Sequence, residues 1–312
     1  MLVSTLWRPH LHLPVTLQLT KGNEKTKTGP VHCVSYSSGI GQYILTGGSD
    51  RKITLTNPTT ATPLQSYTSH GYEVLSLSIS PDNSTFASVG GDKLVFYWDV
   101  TTAKTLRRFE GHYSRINTVT HNDDASILIS GSYDATVRLW DLKSQSRKAV
   151  QVLEDAKDSV TSVCARGCEV LVGSVDGRVR NYDVRMGRCF VDLVGWPVTC
   201  VSITGDGNAL LVGALDGGIR LMDKLNGGLL QSYRGHVNAN YRIRSCFGDA
   251  EKYVITGSED GWIWVYDLLE GKVVEKLKGH GGKVVTCVAY NPGGRKQMVS
   301  SGTDGTVIVW GE

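Results

Sequence analysis

The sequence contains few prolines and no long apolar run. Only 8 of its 312 residues are proline, against 36 glycines, and this balance indicates many tight turns and no proline-rich disordered tail. No apolar run reaches about 18 residues, so we expect no membrane-spanning helix. The apolar start is interrupted by Trp7, Arg8 and Pro9, so we expect no secretory leader.

The charge is nearly balanced, and the cysteines form no metal-binding pattern. The net charge of +3 is too small to indicate binding to nucleic acid on its own. Three residues separate Cys164 from Cys168, which is not the spacing of a zinc ribbon, and no second pair matches them. The seven cysteines are an odd number, so we expect reduced thiols and no metal site.

Three further patterns are missing. No segment shows the sustained apolar period of about 3.6 residues that indicates a helix. No glycine-rich phosphate loop precedes a helix, and no platform of alternating aromatic and basic residues fits single-stranded RNA. We therefore expect no cofactor, no small-molecule substrate and no direct, sequence-specific binding to nucleic acid.

What the sequence does contain is a repeat. Aspartates recur at intervals of 40 to 44 residues, at Asp50, Asp92, Asp134, Asp176, Asp216, Asp260 and Asp304. Six residues after each aspartate comes a mostly aromatic position, at Thr56, Trp98, Trp140, Tyr182, Met222, Tyr266 and Trp310. Segments such as "ATVRLWD" are typical of strands, and Asp-Gly pairs such as Asp176-Gly177 favour hairpin turns. The chain is therefore predicted to be all-β.

This period, with its aromatic ending, resembles the WD-repeat family, in which a repeat of about 40–45 residues forms one four-stranded blade. The resemblance implies a single seven-bladed β-propeller over residues 13–312, preceded by an N-terminal extension, residues 1–12. The last unit ends at Trp310 and lacks a fourth strand. We expect residues 14–19 to complete it, because a three-stranded blade would expose an unpaired edge.

A serine, a histidine and an aspartate at fixed offsets raise the question of a hydrolase triad. The stretch "SGSYDATVRLWD" contains Ser130, Asp134 and Trp140, with His112 upstream. Equivalent sets recur in blades two, six and seven: His70, Ser88, Asp92 and Trp98; His236, Thr256, Asp260 and Tyr266; His280, Ser300, Asp304 and Trp310. A catalyst needs one such set beside an open pocket, so several sets predict a structural role. The family resemblance implies a hydrogen-bonded relay from aspartate through histidine to serine or threonine and tryptophan, and no catalytic residue.

Blades four and five depart from this pattern. Their serine positions hold Val172 and Val212, and their histidine positions are empty. We expect apolar packing to replace the relay in these two blades.

Loops on a rigid scaffold are where function is expected. In the WD-repeat family the loop that enters each innermost strand lies on the narrow top face. Tyrosine, tryptophan and arginine are the residue types that anchor protein interfaces. The partner-binding candidates in these loops are Tyr72, Tyr113, Arg115, Lys157, Trp196, Tyr241, Arg242 and Lys283.

One segment, "GSVDGRVRNYDVRMGR", is rich in arginine. Strand alternation places Arg178 and Arg180 on one face, and with Arg185 they form a candidate patch for an acidic protein or a phosphate. Solvated arginines on a blade edge are the alternative. The ending "YDVR" is similar to the Asp-x-Arg signature of propellers that act as substrate receptors of cullin–RING ubiquitin ligases.

Stretches outside the shared repeat signature are similar to a narrower family, the mitogen-activated protein kinase organizers, which are small single-propeller scaffolds. They include "SHGYEVL", "GGDKLVFYWDV" and "YRGHVNANYRI". The resemblance implies a non-catalytic scaffold of the nucleus and cytoplasm, acting as a monomer within a larger complex. Its implied partners are spliceosomal components in pre-mRNA splicing and members of a MAP kinase (ERK) cascade. A substrate receptor of a cullin–RING ubiquitin ligase is the alternative.

Overall fold

The computed structural model describes residues 17–18 and 29–311. Every regular element in these residues is a β-strand, and the strands form seven antiparallel four-stranded sheets. Six of the sheets contain four strands that are consecutive in the chain, so each is one blade of a ring. The predicted all-β, seven-bladed propeller is confirmed. Among the described residues no helix could cross a membrane.

The strands are numbered along the chain, beginning with β1 (Leu17–Gln18). Blades one to three contain β2 (Val31–Tyr36), β3 (Ile44–Gly48), β4 (Ile53–Asn57), β5 (Thr62–Tyr67), β6 (Val74–Ile79), β7 (Thr85–Gly90), β8 (Leu94–Asp99), β9 (Thr105–Glu110), β10 (Ile116–His121), β11 (Ile127–Ser132), β12 (Val137–Asp141) and β13 (Gln151–Leu153). Blades four and five contain β14 (Val160–Arg166), β15 (Glu169–Ser174), β16 (Arg178–Asp183), β17 (Arg188–Leu193), β18 (Val198–Ile203), β19 (Ala209–Ala214), β20 (Gly218–Asp223) and β21 (Leu229–Arg234). Blades six and seven contain β22 (Ser245–Gly248), β23 (Tyr253–Gly257), β24 (Trp262–Asp267), β25 (Val273–Lys278), β26 (Val285–Tyr290), β27 (Gln297–Gly302) and β28 (Val307–Gly311).

The seventh blade is built from both ends of the described chain. Its strand order is β1-β28-β27-β26, and Leu17 lies opposite Val309 while Gln18 lies opposite Ile308. These two residues fall within the predicted closing strand, 14–19. The rest of that segment and the predicted extension, residues 1–12, lie outside the described residues.

The apolar core lies between blades. Each of its seven clusters combines side chains from two neighbouring blades. One cluster packs Ile53 of blade one against Phe86 and Trp98 of blade two, and another joins blade one to blade seven through Ile44 and Val299. Because no blade buries its faces alone, each blade depends on both of its neighbours, and only a closed ring packs all seven blades fully.

Glycines let neighbouring blades approach closely at four junctions. At each of these junctions a glycine faces a valine of the next blade; the glycines are Gly47, Gly131, Gly173 and Gly257. A Cβ atom on any of these glycines would lie 2.4–2.8 Å from a valine Cγ1 atom, which is less than van der Waals contact. The absence of a side chain therefore sets the spacing between the second strand of one blade and the innermost strand of the next.

Gly131→Ala tests this spacing, with Gly213→Ala as its matched control in an equivalent strand. An alanine Cβ at 131 would lie 2.4 Å from Val160, whereas at 213 its nearest neighbour is the Thr199 hydroxyl at 3.1 Å. We expect Gly131→Ala to lower the free energy of unfolding by about 1–3 kcal/mol through overpacking. Gly213→Ala should change it by less than about 1 kcal/mol. Equal losses in urea titrations of the two variants would contradict the packing argument.

Candidate functional site

The polar set of blade three forms a continuous chain of hydrogen bonds. The His112 Nδ1 atom lies 2.9 Å from the Asp134 carboxylate, and its Nε2 atom lies 2.8 Å from the Ser130 hydroxyl. The Trp140 indole N–H donates to the same hydroxyl at 2.8 Å. Because a carboxylate only accepts, the imidazole proton lies on Nδ1, and Ser130 donates to Nε2. These hydrogen bonds tie the two top-face loops that carry His112 and Asp134 to the sheet beneath them.

The same chain of bonds forms in blades two and seven. The histidine–aspartate distances are 2.5 Å in blade two and 3.2 Å in blade seven, and the histidine–serine distances are 2.7 and 2.8 Å. The tryptophan–serine distance is 2.8 Å in both. The residues are His70, Ser88, Asp92 and Trp98 in blade two, and His280, Ser300, Asp304 and Trp310 in blade seven. All three serines are 0% exposed, so no substrate can reach a hydroxyl, and the sets brace the blades instead.

Burial and hydrogen bonding decide the charges in these sets. Burial alone would raise the pKa of Asp134, but hydrogen bonds from His112 and Thr136 outweigh it and hold the pKa well below its usual range. Burial also lowers the pKa of His112 and of His280, despite their aspartates. Each of these two histidines is therefore a neutral imidazole at neutral pH.

The predicted set of blade six does not form a relay. The His236 Nδ1 atom lies 3.1 Å from the Tyr266 hydroxyl, and its Nε2 atom is buried without a partner. The Thr256 hydroxyl donates to a carbonyl of its own strand, and Asp260 accepts the backbone N–H two residues on. The relay fails because the longer Tyr266 phenol reaches the histidine itself, where an indole N–H would stop at the serine position.

The expectation of apolar packing in blades four and five is wrong at the aspartates. Val172 and Val212 are buried, but Asp176 pairs with Arg180 at 2.6 Å, and the equivalent aspartate of blade five pairs with Arg220 at 2.6 Å. Burial opposes ionisation of Asp176, yet hydrogen bonds from Arg180 and Ser174 lower its pKa to about 2. An arginine from the third strand thus replaces the missing histidine.

This pairing also corrects the predicted basic patch. Arg180 is only 2% exposed and is committed to its ion pair. Arg178 begins β16 at the top of the blade, whereas the exposed Arg185 follows its end at the bottom, so the arginines do not share a surface. Asp183 of the "YDVR" motif accepts backbone N–H groups from Arg185 and Met186, both at 3.0 Å. The equivalent aspartates of other blades, such as Asp99, hold the same turn.

The top face carries most of the remaining candidates. It is the face that holds the loops entering the innermost strands and the loops between second and third strands. Tyr72, Tyr113, Trp196 and Tyr241 are 65, 79, 53 and 48% exposed there. The cationic candidates Arg115, Lys157 and Lys283 are exposed as well. Sequence reasoning missed Tyr133, which is 54% exposed and lies under the Arg115 guanidinium at 4.9 Å.

A channel runs through the centre of the ring of blades, and a cavity of about 660 Å³ opens at its mouth on the top face. Its wall includes Arg115, Tyr133, Tyr241 and Arg242. The prediction of Arg242 as a rim anchor needs correction, because its guanidinium is turned into the channel and bonds to backbone carbonyls. The loop that carries it runs to the short strand β22 of blade six.

With this geometry in place, comparison with known proteins identifies the class. The family model described as "WD domain, G-beta repeat" matches residues 61–99, 103–141, 187–223, 227–267 and 271–311. The chain therefore belongs to the WD-repeat family.

Several curated relatives share one name. "WD repeat domain-containing protein 83" of Rattus norvegicus is 47% identical over 284 residues, covering 91% of this chain and 89% of the relative. The human protein of that name is 52% identical over 231 residues, 74% of this chain and 73% of the relative. The Dictyostelium discoideum "WD repeat domain-containing protein 83 homolog" is 34% identical over 311 residues, covering 91% and 95%. WD-repeat propellers are generally non-catalytic interaction scaffolds, which agrees with the complete burial of the three serine hydroxyls.

His112→Ala tests the structural role of the polar sets. The variant removes the imidazole between Asp134 and Ser130, which takes a donor from the carboxylate and the acceptor from the buried hydroxyl proton. We therefore expect the free energy of unfolding to fall by about 1–3 kcal/mol. His236→Ala is the control, because it removes an imidazole of equal size that makes a single side-chain bond. It should cost less in the same denaturant titration. A native melting curve for His112→Ala would contradict a structural role.

Acid should destabilise the fold through buried histidines outside these three relays. Burial lowers the pKa of His121 and of His236 from the ordinary 6.5 to about 4. Between pH 6.5 and pH 4 these two histidines bind protons in the unfolded chain but not in the folded chain. Their full contribution to stability is therefore present above pH 6.5, and it is lost as the pH drops towards 4.

We expect each of these histidines to contribute a loss on the order of 1–3 kcal/mol across that window. Urea titrations at several pH values measure the slope, and His121→Gln should flatten it because the amide does not titrate there. An unchanged slope in His121→Gln would show that His121 does not drive the acid effect.

Proposed function

We propose that this protein is a non-catalytic scaffold that recognises protein partners with its top face. The observation that carries the proposal is the group of four exposed aromatic side chains in the loops around the channel mouth. Aromatic residues provide large contact areas at low entropic cost and are enriched where interfaces are strongest. The braced loops beneath them hold these side chains in place before a partner arrives, which reduces the entropic cost of binding.

We further propose that the scaffold belongs to the spliceosome and acts in pre-mRNA splicing, and that it also assembles members of a MAP kinase cascade. Support comes from the similarity of several blade segments to the mitogen-activated protein kinase organizers. On the same support we propose that the protein acts in the nucleus and the cytoplasm, as a monomer within a larger complex. The relatives' shared name agrees with a WD-repeat protein and specifies no partner.

The alternative proposal is a substrate receptor of a cullin–RING ubiquitin ligase. The exposure of Arg185 at the bottom of blade four keeps an adaptor contact sterically open. The turn-holding role of Asp183, which Asp99 shares in blade two, weakens the case for a dedicated motif.

Affinity purification followed by mass spectrometry separates these functions. The full chain is compared with Tyr113→Ala and Trp196→Ala, which remove exposed top-face rings, and with Arg185→Glu. We expect spliceosomal proteins and kinase-cascade components with the unaltered chain, and their recovery should fall several-fold in the two aromatic variants. Arg185→Glu serves as the control on the opposite face.

Two results would contradict the proposal. Loss of a cullin adaptor in Arg185→Glu would favour the ligase receptor. Full recovery of the splicing and kinase partners in both aromatic variants, with unchanged melting temperatures, would remove the top face as their docking surface.

A further inference from the structure

The Arg242 side chain spans the central channel. The Arg242 Nη1 atom donates to the Asn117 carbonyl at 2.6 Å and to the Thr161 carbonyl at 3.1 Å, and Nη2 donates to the Leu75 carbonyl at 3.1 Å. These carbonyls belong to the innermost strands of blades two, three and four, whereas Arg242 comes from blade six. A guanidinium has five N–H groups, so three of them are used and two remain.

The loop that carries Arg242 is held rigidly. The Glu259 carboxylate accepts the backbone N–H groups of Ala239, Asn240 and Tyr241 at 2.7, 2.6 and 3.0 Å. Burial alone would raise the pKa of Glu259, but these hydrogen bonds outweigh it and lower the pKa, so the carboxylate remains charged. The guanidinium is thus fixed before any ligand binds.

The positive charge at the channel mouth is only partly balanced by negative charge. Neither Arg115 nor Arg242 forms an ion pair with a carboxylate anywhere in residues 17–18 and 29–311. Asp158 is the one acidic side chain in the described wall of the cavity. Burial and the nearby Arg244 lower the pKa of Arg242 to about 9, so an arriving anion would relieve the cost of this buried cation.

We propose that the channel mouth binds an acidic side chain on an extended segment of a partner protein, with Arg242 and Arg115 as the groups that recognise its carboxylate. The proposal rests on the scaffold function proposed above and specifies the chemistry of the partner. Two free N–H groups on Arg242 match the two oxygens of a carboxylate, which arginine often binds in a bidentate manner. Asp158 disfavours a phosphate, whose charge is larger. Tyr133 and Tyr241 provide apolar walls for the neighbouring peptide residues.

Selection of peptides from a random display library on the full chain tests this chemistry and requires no identified partner. Selected peptides are synthesised in pairs, with each Asp or Glu kept or changed to Asn or Gln, and dissociation constants are measured by fluorescence anisotropy. We expect the selected sequences to share an acidic residue. Its amide counterpart should bind at least about tenfold more weakly, a difference of about 1.4 kcal/mol.

A double-mutant cycle then assigns the contact. In Arg242→Gln, or in Arg115→Ala if the former does not fold, the acidic peptide and its amide counterpart should bind with similar affinity. Arg295→Ala, which removes an exposed arginine from the loop between β26 and β27 on the opposite face, should leave the difference intact. Inorganic phosphate should not compete at concentrations at which the acidic peptide binds.

The failure of this inference is distinguishable from the failure of the scaffold function. Selected peptides without an acidic residue that still lose binding in Trp196→Ala would keep the top face as an interface and overturn the carboxylate site. An acid-to-amide difference that persists in both arginine variants, competition by inorganic phosphate, or no enriched peptide at all would overturn it as well.

Discussion

Shared burial between neighbouring blades is the constraint on which the rest of this structure depends. A four-stranded sheet has two faces, and each apolar cluster here is completed by side chains of the next blade. The junction of blades one and seven is packed in the same way, and β1 adds a hydrogen-bonded connection between the two ends of the described chain. Closure therefore rigidifies all seven sheets together, and the loops at their ends inherit that rigidity.

Buried polar pairs then fix the top-face loops onto this frame. Three blades use an aspartate with a histidine, and two use an aspartate with an arginine. The histidine and the arginine hold the same turn, because each supplies N–H donors to a carboxylate that would otherwise be costly to bury. The position of the aspartate is kept while its partner changes, so the loops above these five blades can diverge in sequence without losing their support.

The sequence was sufficient to predict the blade count, because Asp134 and its equivalents keep one register along the chain and the strand period between them is two residues. It was also sufficient for the relays of blades two, three and seven, since their four residue types occur together at fixed offsets. Arg180 and Arg220 were harder to interpret. An arginine four residues after the aspartate is the signal, and it gains meaning only where the histidine is missing.

Other features could not be predicted for physical reasons. The direction of Arg242 depends on a loop path that has no periodicity, and its partners come from blades that are distant in the chain. The altered geometry of blade six depends on the reach of one phenol, Tyr266, compared with an indole. Side-chain length and loop path are three-dimensional properties, whereas repeat spacing is already present in one dimension.

The central claim is that the braced top face, and not the outer edges of the blades, is where partners bind. The most direct measurement is a cryo-electron-microscopy structure of the full chain in complex with a partner that co-purifies with it. The account predicts partner density over the channel mouth, in contact with rings such as Tyr241 and Trp196. Density confined to the outermost strands or the bottom face, with an empty channel mouth, would contradict it.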